Sequence, residues 1–387
     1  MVALGIRERE ARQESSDFLR VVGGDRCFEP LAERRRLAKL AAEPAEQAYG
    51  CLVGHPQAGY PSGGHRFREP GRRVMRGGLD LGGTKIQAVV TDGSADVIGE
   101  ARRETPRDGG PKAVVGELTG ALRDALTLAS VELSALQCVG VGAPGSIEPE
   151  TGVVVQVANI GGWDAPFPLG PALAAELGVP VSIGNDVNAA VEAEHRFGAG
   201  RDFASFLGVF WGTGIGGGLV VDGRMLAGRG SAGEIGHMCA KPGGRRCNCG
   251  LDGCVEAYAG RGSLEERARE VAKERKTSLF EIMEKRGRDR LTSGIWLRAL
   301  EHGDEVAEEL LLRAVEALGV GIGSAVTLLD VEAVVVGGGL GGRLGTPWLE
   351  RIESAARGHT FFREPPVYRL AELGDLGGAI GASLLVV

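Results

Sequence analysis

One apolar stretch constrains this chain more than any other. The segment GGLDLGGTKIQAVVTD (77–92) is a run of strand-forming residues interrupted only by Gly82-Gly83-Thr84, and it reads as two strands joined by that turn. A second stretch, SFLGVFWGTGIGGGLVVDG (205–223), reads as another hairpin whose turn is a glycine loop. Helical periodicity over about 111–129 follows the first hairpin. CVGVGAP (138–144) then reads as a buried strand ending in a loop, VPVSIGND (179–186) as a strand, and VNAAVEAEHRF (187–197) as the helix directly after it. Helices are expected at about 256–286 and 304–329, and a strand over VEAVVVGGG (331–339). Strands alternating with helices predict an α/β sheet with its ligand loops at the strand C-terminal ends. The loops opening at Gly82, Asn185 and Gly337 have that placement.

A chain of 387 residues predicts two or more domains, because single cores stop growing near 250–300 residues. Its 64 glycines are more than twice the ordinary frequency of about 7%. They cluster at 82–83, 212–218, 336–345 and 374–381, where ligand-cradling loops are expected. A net charge of −7 argues against a general nucleic-acid binder. No run of 18 apolar residues is free of charge, and MVALGIREREARQE at the start has no apolar signal-peptide core, so a cytoplasmic protein with no membrane partner is expected.

Residues 1–74 differ from the rest. They carry 13 Lys+Arg against 10 Asp+Glu, whereas 75–387 carry 31 against 41. Apart from a short helix expected near 31–48, they lack sustained periodicity, and 54–71 is rich in Pro, Gly and His. They offer little core to bury, so the expectation is a poorly ordered, dispensable extension, or translation starting at Met75. The rest is expected to divide into a smaller α/β lobe (75–190 plus 371–387) and a larger one (191–370) that holds the metal site.

Three glycine loops have the chemistry to hold phosphate. In Asp80-Leu-Gly-Gly-Thr-Lys85, Gly82 and Gly83 free backbone N–H groups to approach phosphate oxygens, Thr84 adds a hydroxyl and Lys85 a positive charge. Asp80 ends a strand, where a carboxylate can hold Mg2+ through water. Taken alone, this stretch reads equally as a surface hairpin. A second Thr-bearing loop at Gly212-Thr213-Gly214 and a third at Gly337-Gly338-Gly339 make a nucleotide gripped from two sides the better reading.

Four of the seven cysteines lie between 239 and 254, beside a histidine. His237, Cys247, Cys249 and Cys254 supply three thiolates and an imidazole, a closed tetrahedral set for structural Zn2+, with Cys239 the spare thiol. A site without an open position does no catalysis. Asn185-Asp186 ends a strand and opens a helix, where the helix N-terminus favours an ionised carboxylate suited to accept a hydroxyl proton; a plain helix cap is the competing reading. Glu234 and Glu256 flank the metal ligands, where zinc would clamp them as hydrogen-bond acceptors for ligand hydroxyls; spacing alone leaves them equally readable as surface charges.

Taken together, DLGGTK (80–85), APG (143–145), NIGGW (159–163), NDVNA (185–189), GTGIGGG (212–218), GEIGH (233–237), CNCGLDGCVE (247–256) and GGG (337–339) resemble the ROK (repressor, open reading frame, kinase) family of sugar kinases and repressors over about 76–387. The resemblance implies a two-lobed actin-like ATPase (ribonuclease H-like) α/β fold, with ATP and a hexose bound between the lobes. It implies Asp186 as the base acting on the sugar 6-hydroxyl, and Asn159, Asn185, Glu234, His237 and Glu256 as sugar contacts. It assigns Gly82, Gly83, Thr84, Lys85, Thr213 and Gly214 to phosphate, Gly338 and Gly339 to the nucleotide side, and positions 237, 247, 249 and 254 to zinc. The expected reaction is MgATP-dependent phosphorylation of glucose, with fructose, mannose, allose or an N-acetylhexosamine as alternative acceptors and polyphosphate as an alternative donor. A homodimer is typical of the family. Its repressors carry an N-terminal helix-turn-helix; 1–74 show no two helical patterns joined by a short turn, which counts against that branch and against a nucleic-acid partner.

Overall fold

The computed structural model describes residues 74–157, 160–361 and 364–385. Expectations for the N-terminal extension, including the helix near 31–48, lie outside these residues, as does Asn159.

Two five-stranded sheets carry the fold. The first uses β1 (Met75–Leu81), β2 (Lys85–Thr91), β3 (Val97–Glu104), β4 (Leu136–Ala143) and, beyond a small ribbon of β5 (Ser146–Glu148) and β6 (Val153–Gln156), β7 (Val181–Asn185). Its order is β3-β2-β1-β4-β7, antiparallel through the two hairpins and parallel from β1 onward. The second uses β8 (Phe206–Trp211), β9 (Ile215–Val221), β10 (Arg224–Met225), β11 (Ala333–Gly337) and β12 (Val367–Leu370). Its order, β10-β9-β8-β11-β12, repeats that pattern of antiparallel hairpins followed by parallel strands. This is the expected two-lobed α/β fold.

On the first sheet, α1 (Gly110–Ala129) and α2 (Leu169–Leu177) cover a core that includes Leu79, Ile86, Leu118 and Leu173, all fully buried. The next helix, α3 (Asp186–Phe197), leaves β7 of the first sheet and packs on β9 of the second. The lobe boundary expected at residue 190 therefore falls inside a helix shared by both sheets. Its Val191 joins Phe206, Val220 and Val335 in a core under the second sheet.

That packing explains glycines expected in loops. Gly216, Gly217 and Gly218 belong to strand β9, and only 212–214 form the turn. A Cβ at Gly218 would meet Val191 at 2.9 Å, so the bare backbone lets α3 approach the sheet. The 374–381 cluster is likewise no loop: most of it is α11 (Gly377–Ala382), whose backbone lies so close to β4 that a Cβ at Gly140 would fall 1.7 Å from the Ala382 carbonyl oxygen.

The helix expected over 256–286 is three pieces, α4 (Glu256–Ala259), α5 (Arg261–Val271) and α6 (Leu279–Lys285), because Gly260 takes an extended conformation (φ −56°, ψ 133°) and 272–278 leave the helical path. Beyond α7 (Ser293–Glu301), α8 (Glu305–Leu329) opens on Asp304, whose Oδ1 accepts from the Ala307 N–H at 2.9 Å, and closes on Asp330 in the left-handed region. By length and composition α8 is apolar enough to cross a membrane, but 67% of its most apolar window is buried within the fold, as befits a core helix. It packs with α7 and with α10 (Thr346–Arg357), and α9 (Gly338–Leu344) joins them in a core holding Trp211 and Trp296, both fully buried. Truncating either tryptophan to Ala is expected to cost about 3–5 kcal/mol.

Candidate active site and metal centre

The elements deliver their functional side chains at strand ends and helix starts. Asp80 is the penultimate residue of β1, and Asp186 opens α3 at the end of β7. Burial pushes the Asp80 carboxyl up to about 7; Asp186 and Asp375 add to the rise and Lys85 opposes it. Burial likewise pushes Asp186 up to about 6, against the amides of Val187 and its own backbone, and Glu234 adds to the rise. These mutual influences put Asp80, Asp186 and Glu234 in one electrostatic neighbourhood. Asp186 Oδ1 accepts from Val187 N–H at 2.9 Å, which fixes one carboxylate oxygen. Helix capping falls to Asn185 instead: its Oδ1 accepts from Asn188 N–H at 2.9 Å, so Asp186 is released from that duty.

On the first glycine loop, Gly82 N–H donates to the Lys85 carbonyl at 3.0 Å and Thr105 Oγ1 donates to the Gly82 carbonyl at 2.6 Å, a tight turn with Gly83 and Thr84 exposed at its tip. Lys85 Nζ is paired with Asp375 at 3.0 Å. The second loop is held from beneath: Glu256 Oε2 accepts from Ile215 N–H at 2.8 Å, and Trp211 Nε1 donates to the Ala259 carbonyl at 2.6 Å. Thr213 Oγ1 accepts from Arg261 at 2.9 Å. At the third loop, Gly338 has φ 83° and lies so near Trp211 that a Cβ would fall 2.6 Å from the Trp211 carbonyl oxygen; Gly339 follows in the first turn of α9. The second and third loops are thus neighbours across β8 and β11.

The metal centre gathers His237, Cys247, Cys249 and Cys254, whose ligand atoms all lie within 4.8 Å of one another. Cys249 Sγ lies 3.7 Å from Cys254 Sγ, and Cys247 Sγ lies 3.9 Å from His237 Nδ1. A tetrahedron with metal–sulfur bonds of about 2.3 Å has edges of about 3.8 Å, so these separations fit zinc. The chemistry of the set agrees. Without a cation, burial pushes the Cys254 thiol up to about 12 and raises Cys247, whereas a metal holds such groups as thiolates. Cys239 lies outside the set; its backbone bridges that of Cys254. The ligands come from the single 3-10 turn Ile235–His237 that Glu234 caps, from the turn closed by Gly250 N–H to Cys247 O at 3.0 Å, and from the residue two before Glu256. One metal on these ligands would tie together the backbones that carry Glu234 and Glu256.

Two polar groups at these loops escaped the sequence reading. Asp375 is hidden in a glycine-rich stretch with no motif spacing, and Arg261 follows α4 by two residues; only proximity in space marks either one.

Residues 76–387 match the ROK family profile. The chain is 33% identical over 314 residues to a glucokinase of Halalkalibacterium halodurans, covering 80% of this chain and 94% of that one. Among solved structures, a ROK hexokinase from Thermus thermophilus superposes with a TM-score of 0.65 at 36% identity, over 81% of this chain and 97% of that one. A ROK family glucokinase from Streptomyces griseus, in complex with glucose and AMPPNP, gives 0.69 at 29% identity, over 80% and 98%. The chain belongs to the ROK family.

Proposed function

We propose that this protein is an ATP-dependent sugar kinase that transfers the γ-phosphoryl group of MgATP to the 6-hydroxyl of a hexose, with glucose as the acceptor. The observation that carries the reading is the placement of two half-buried carboxylates at strand C-terminal ends of one sheet, Asp80 on β1 and Asp186 after β7, beside the Lys85 loop, with Asp186 adding to the raised pKa of Asp80. The named activities of the relatives support it, as does the sugar and nucleotide analogue held by the Streptomyces griseus protein.

In this reading Asp186 accepts the proton of the attacking hydroxyl with the carboxylate oxygen that Val187 does not hold. A base near 6 is ionised at neutral pH yet basic enough to take a proton as the hydroxyl attacks. Asn185, Glu234, His237 and Glu256 orient the sugar, and the N–H groups and side chains of the Gly82 and Thr213 loops steady charge on the transferred group. Asp80 would hold Mg2+, which supplies charge neutralisation between the phosphates; its raised pKa is that of a buried carboxylate short of positive charge. Zinc on His237, Cys247, Cys249 and Cys254 would supply stiffness to the sugar side and no chemistry. Coupled ADP release across glucose, fructose, mannose, allose and N-acetylmannosamine tests the proposal. Turnover with glucose at the highest kcat/KM is expected. A tenfold preference for another sugar would reassign the substrate, and sugar binding without any ADP release would point to a regulator.

A further inference from the structure

Arg261 is a cation at the glycine loops that the mechanism above leaves unused. It opens α5, and its own N–H donates to the Gly212 carbonyl at 3.3 Å while Gly262 N–H donates to the Thr213 carbonyl at 3.0 Å, so its backbone is sewn to the loop. Its Nη2 donates to Thr213 Oγ1 at 2.9 Å and its Nη1 to Ser293 Oγ at 3.0 Å. Both partners are neutral. A guanidinium has five N–H donors, and these bonds use two.

The surroundings make the charge costlier still. Burial lowers the Arg261 pKa below the ordinary arginine value, and Arg290 and Arg343 push it the same way; Glu265 opposes them. That carboxylate is committed elsewhere, to Arg269 at 2.6 Å and to the Leu291 N–H at 2.9 Å. Arg343 stands on the other side, with Nη1 donating to the Gly339 carbonyl at 3.1 Å. Arg261 and Arg343 therefore both stand where the Thr213 and Gly338 loops adjoin, while Arg290 adds to the repulsion from beside Glu265, 3.9 Å away. Two neutral hydroxyls leave the charge of this half-buried guanidinium uncompensated, so scaffolding alone does not account for a cation here.

We infer that Arg261 binds the phosphate chain of the nucleotide, directing its remaining N–H donors at phosphate oxygens beside Thr213. The inference rests on the kinase reading and adds to it a residue for the donor side. A planar, always-charged fork suits phosphate better than an ammonium does.

The test is equilibrium binding of ATP, ADP and adenosine, with Mg2+, to the full-length wild type and to R261Q, R261K and S293A. R261Q removes the charge and keeps an amide donor, but it is two bonds shorter and gives up the reach of Nη2 to Thr213, so the adenosine and S293A arms separate lost charge from lost scaffolding. It is expected to weaken ATP and ADP at least tenfold, to leave adenosine and glucose within about twofold, and to flatten the salt dependence of ATP binding. R261K should recover part of the loss. S293A, which removes one partner and no charge, should stay within about threefold for ATP. The inference is overturned if R261Q binds ATP within threefold of wild type, if adenosine weakens as much as ATP, or if S293A loses as much as R261Q, since the last two outcomes mark a loop scaffold. Failure of the wild type to bind ATP would instead remove the kinase reading, and this inference with it.

Discussion

Lys85 Nζ lies 3.0 Å from Asp375 Oδ2, so the first phosphate loop is tied to the segment leading into α11, 290 residues further along. That segment is held in turn by Glu194 of α3, only 1% exposed, whose carboxylate accepts from Glu372 N–H at 3.1 Å and Leu373 N–H at 2.9 Å. Although burial works to raise the Asp375 pKa, the hydrogen bond and charge of Lys85 hold it below the usual carboxylate value. Asp375 thus competes with phosphate for the lysine. Asp375→Asn is expected to lower KM for ATP by a few-fold. The side chains are 24% and 47% exposed, so the pair contributes no more than about 1 kcal/mol to stability. Steady-state kinetics beside thermal melts checks both parts, and a rise in KM would show that Asp375 orients Lys85 instead of restraining it.

Asp186→Asn should reduce kcat by ~10²–10⁴-fold while sugar affinity stays within a few-fold, because the amide keeps the shape and cannot take the proton. Near-normal turnover would remove Asp186 from the role. The wild type should also lose kcat/KM as pH falls through about 6, where the base becomes protonated. An acid limb centred near 4 would mean that the cleft does not desolvate this carboxylate.

Most of this arrangement was legible because strand periodicity and glycine turns are local signals. The hairpins, the position of Asp186 at a helix start and the ligand spacing of the zinc set all come from residues near one another in sequence. What the sequence did not reveal was long-range. Asp375 and Lys85 meet only because α11 packs back on β1 and β4, and no spacing rule spans that gap. Glycine was misread for the same reason: Gly218 and Gly381 are small because Val191 or another backbone presses on them, and a packing contact has no signature distinct from a ligand loop. Gly260 broke an expected helix for want of any flanking proline to mark it.

Asp80 gives a stability test with a definite sign. Its pKa is about 7 folded against 3.8 for the unfolded reference, so between those values the folded state holds a proton that the unfolded state has lost. Stability therefore falls as pH rises from about 4 to 7 and levels off above. Asp80→Asn removes this contribution, and its Tm at pH 8 is expected to exceed that of wild type by a few degrees, with little difference at pH 4.5. Melts over the pH range without divalent cation decide it. A lower Tm for the variant at pH 8 would show that the ionised carboxylate is compensated in the fold.

The zinc set makes the last prediction. Cys254 is 1% exposed, packs with Cys247 and Ala257, and precedes Glu256 by two residues. Removing its thiolate leaves three ligands, too few for a closed structural site. Cys254→Ser should purify with less than one zinc per chain, melt at lower temperature and bind sugar more weakly. ATP should suffer less, because Glu234 and His237 ride on the loop the metal holds, whereas the Thr213 loop is also anchored by Trp211 through its 2.6 Å bond to Ala259. Cys239→Ser is the internal comparison: the same chemical change one strand-bridge away, outside the ligand set, should leave zinc content unaltered. Elemental analysis of wild type is expected to give about one zinc per chain. No zinc in the wild type, or equal loss in both variants, would dissolve the link between the metal and the sugar-binding carboxylates.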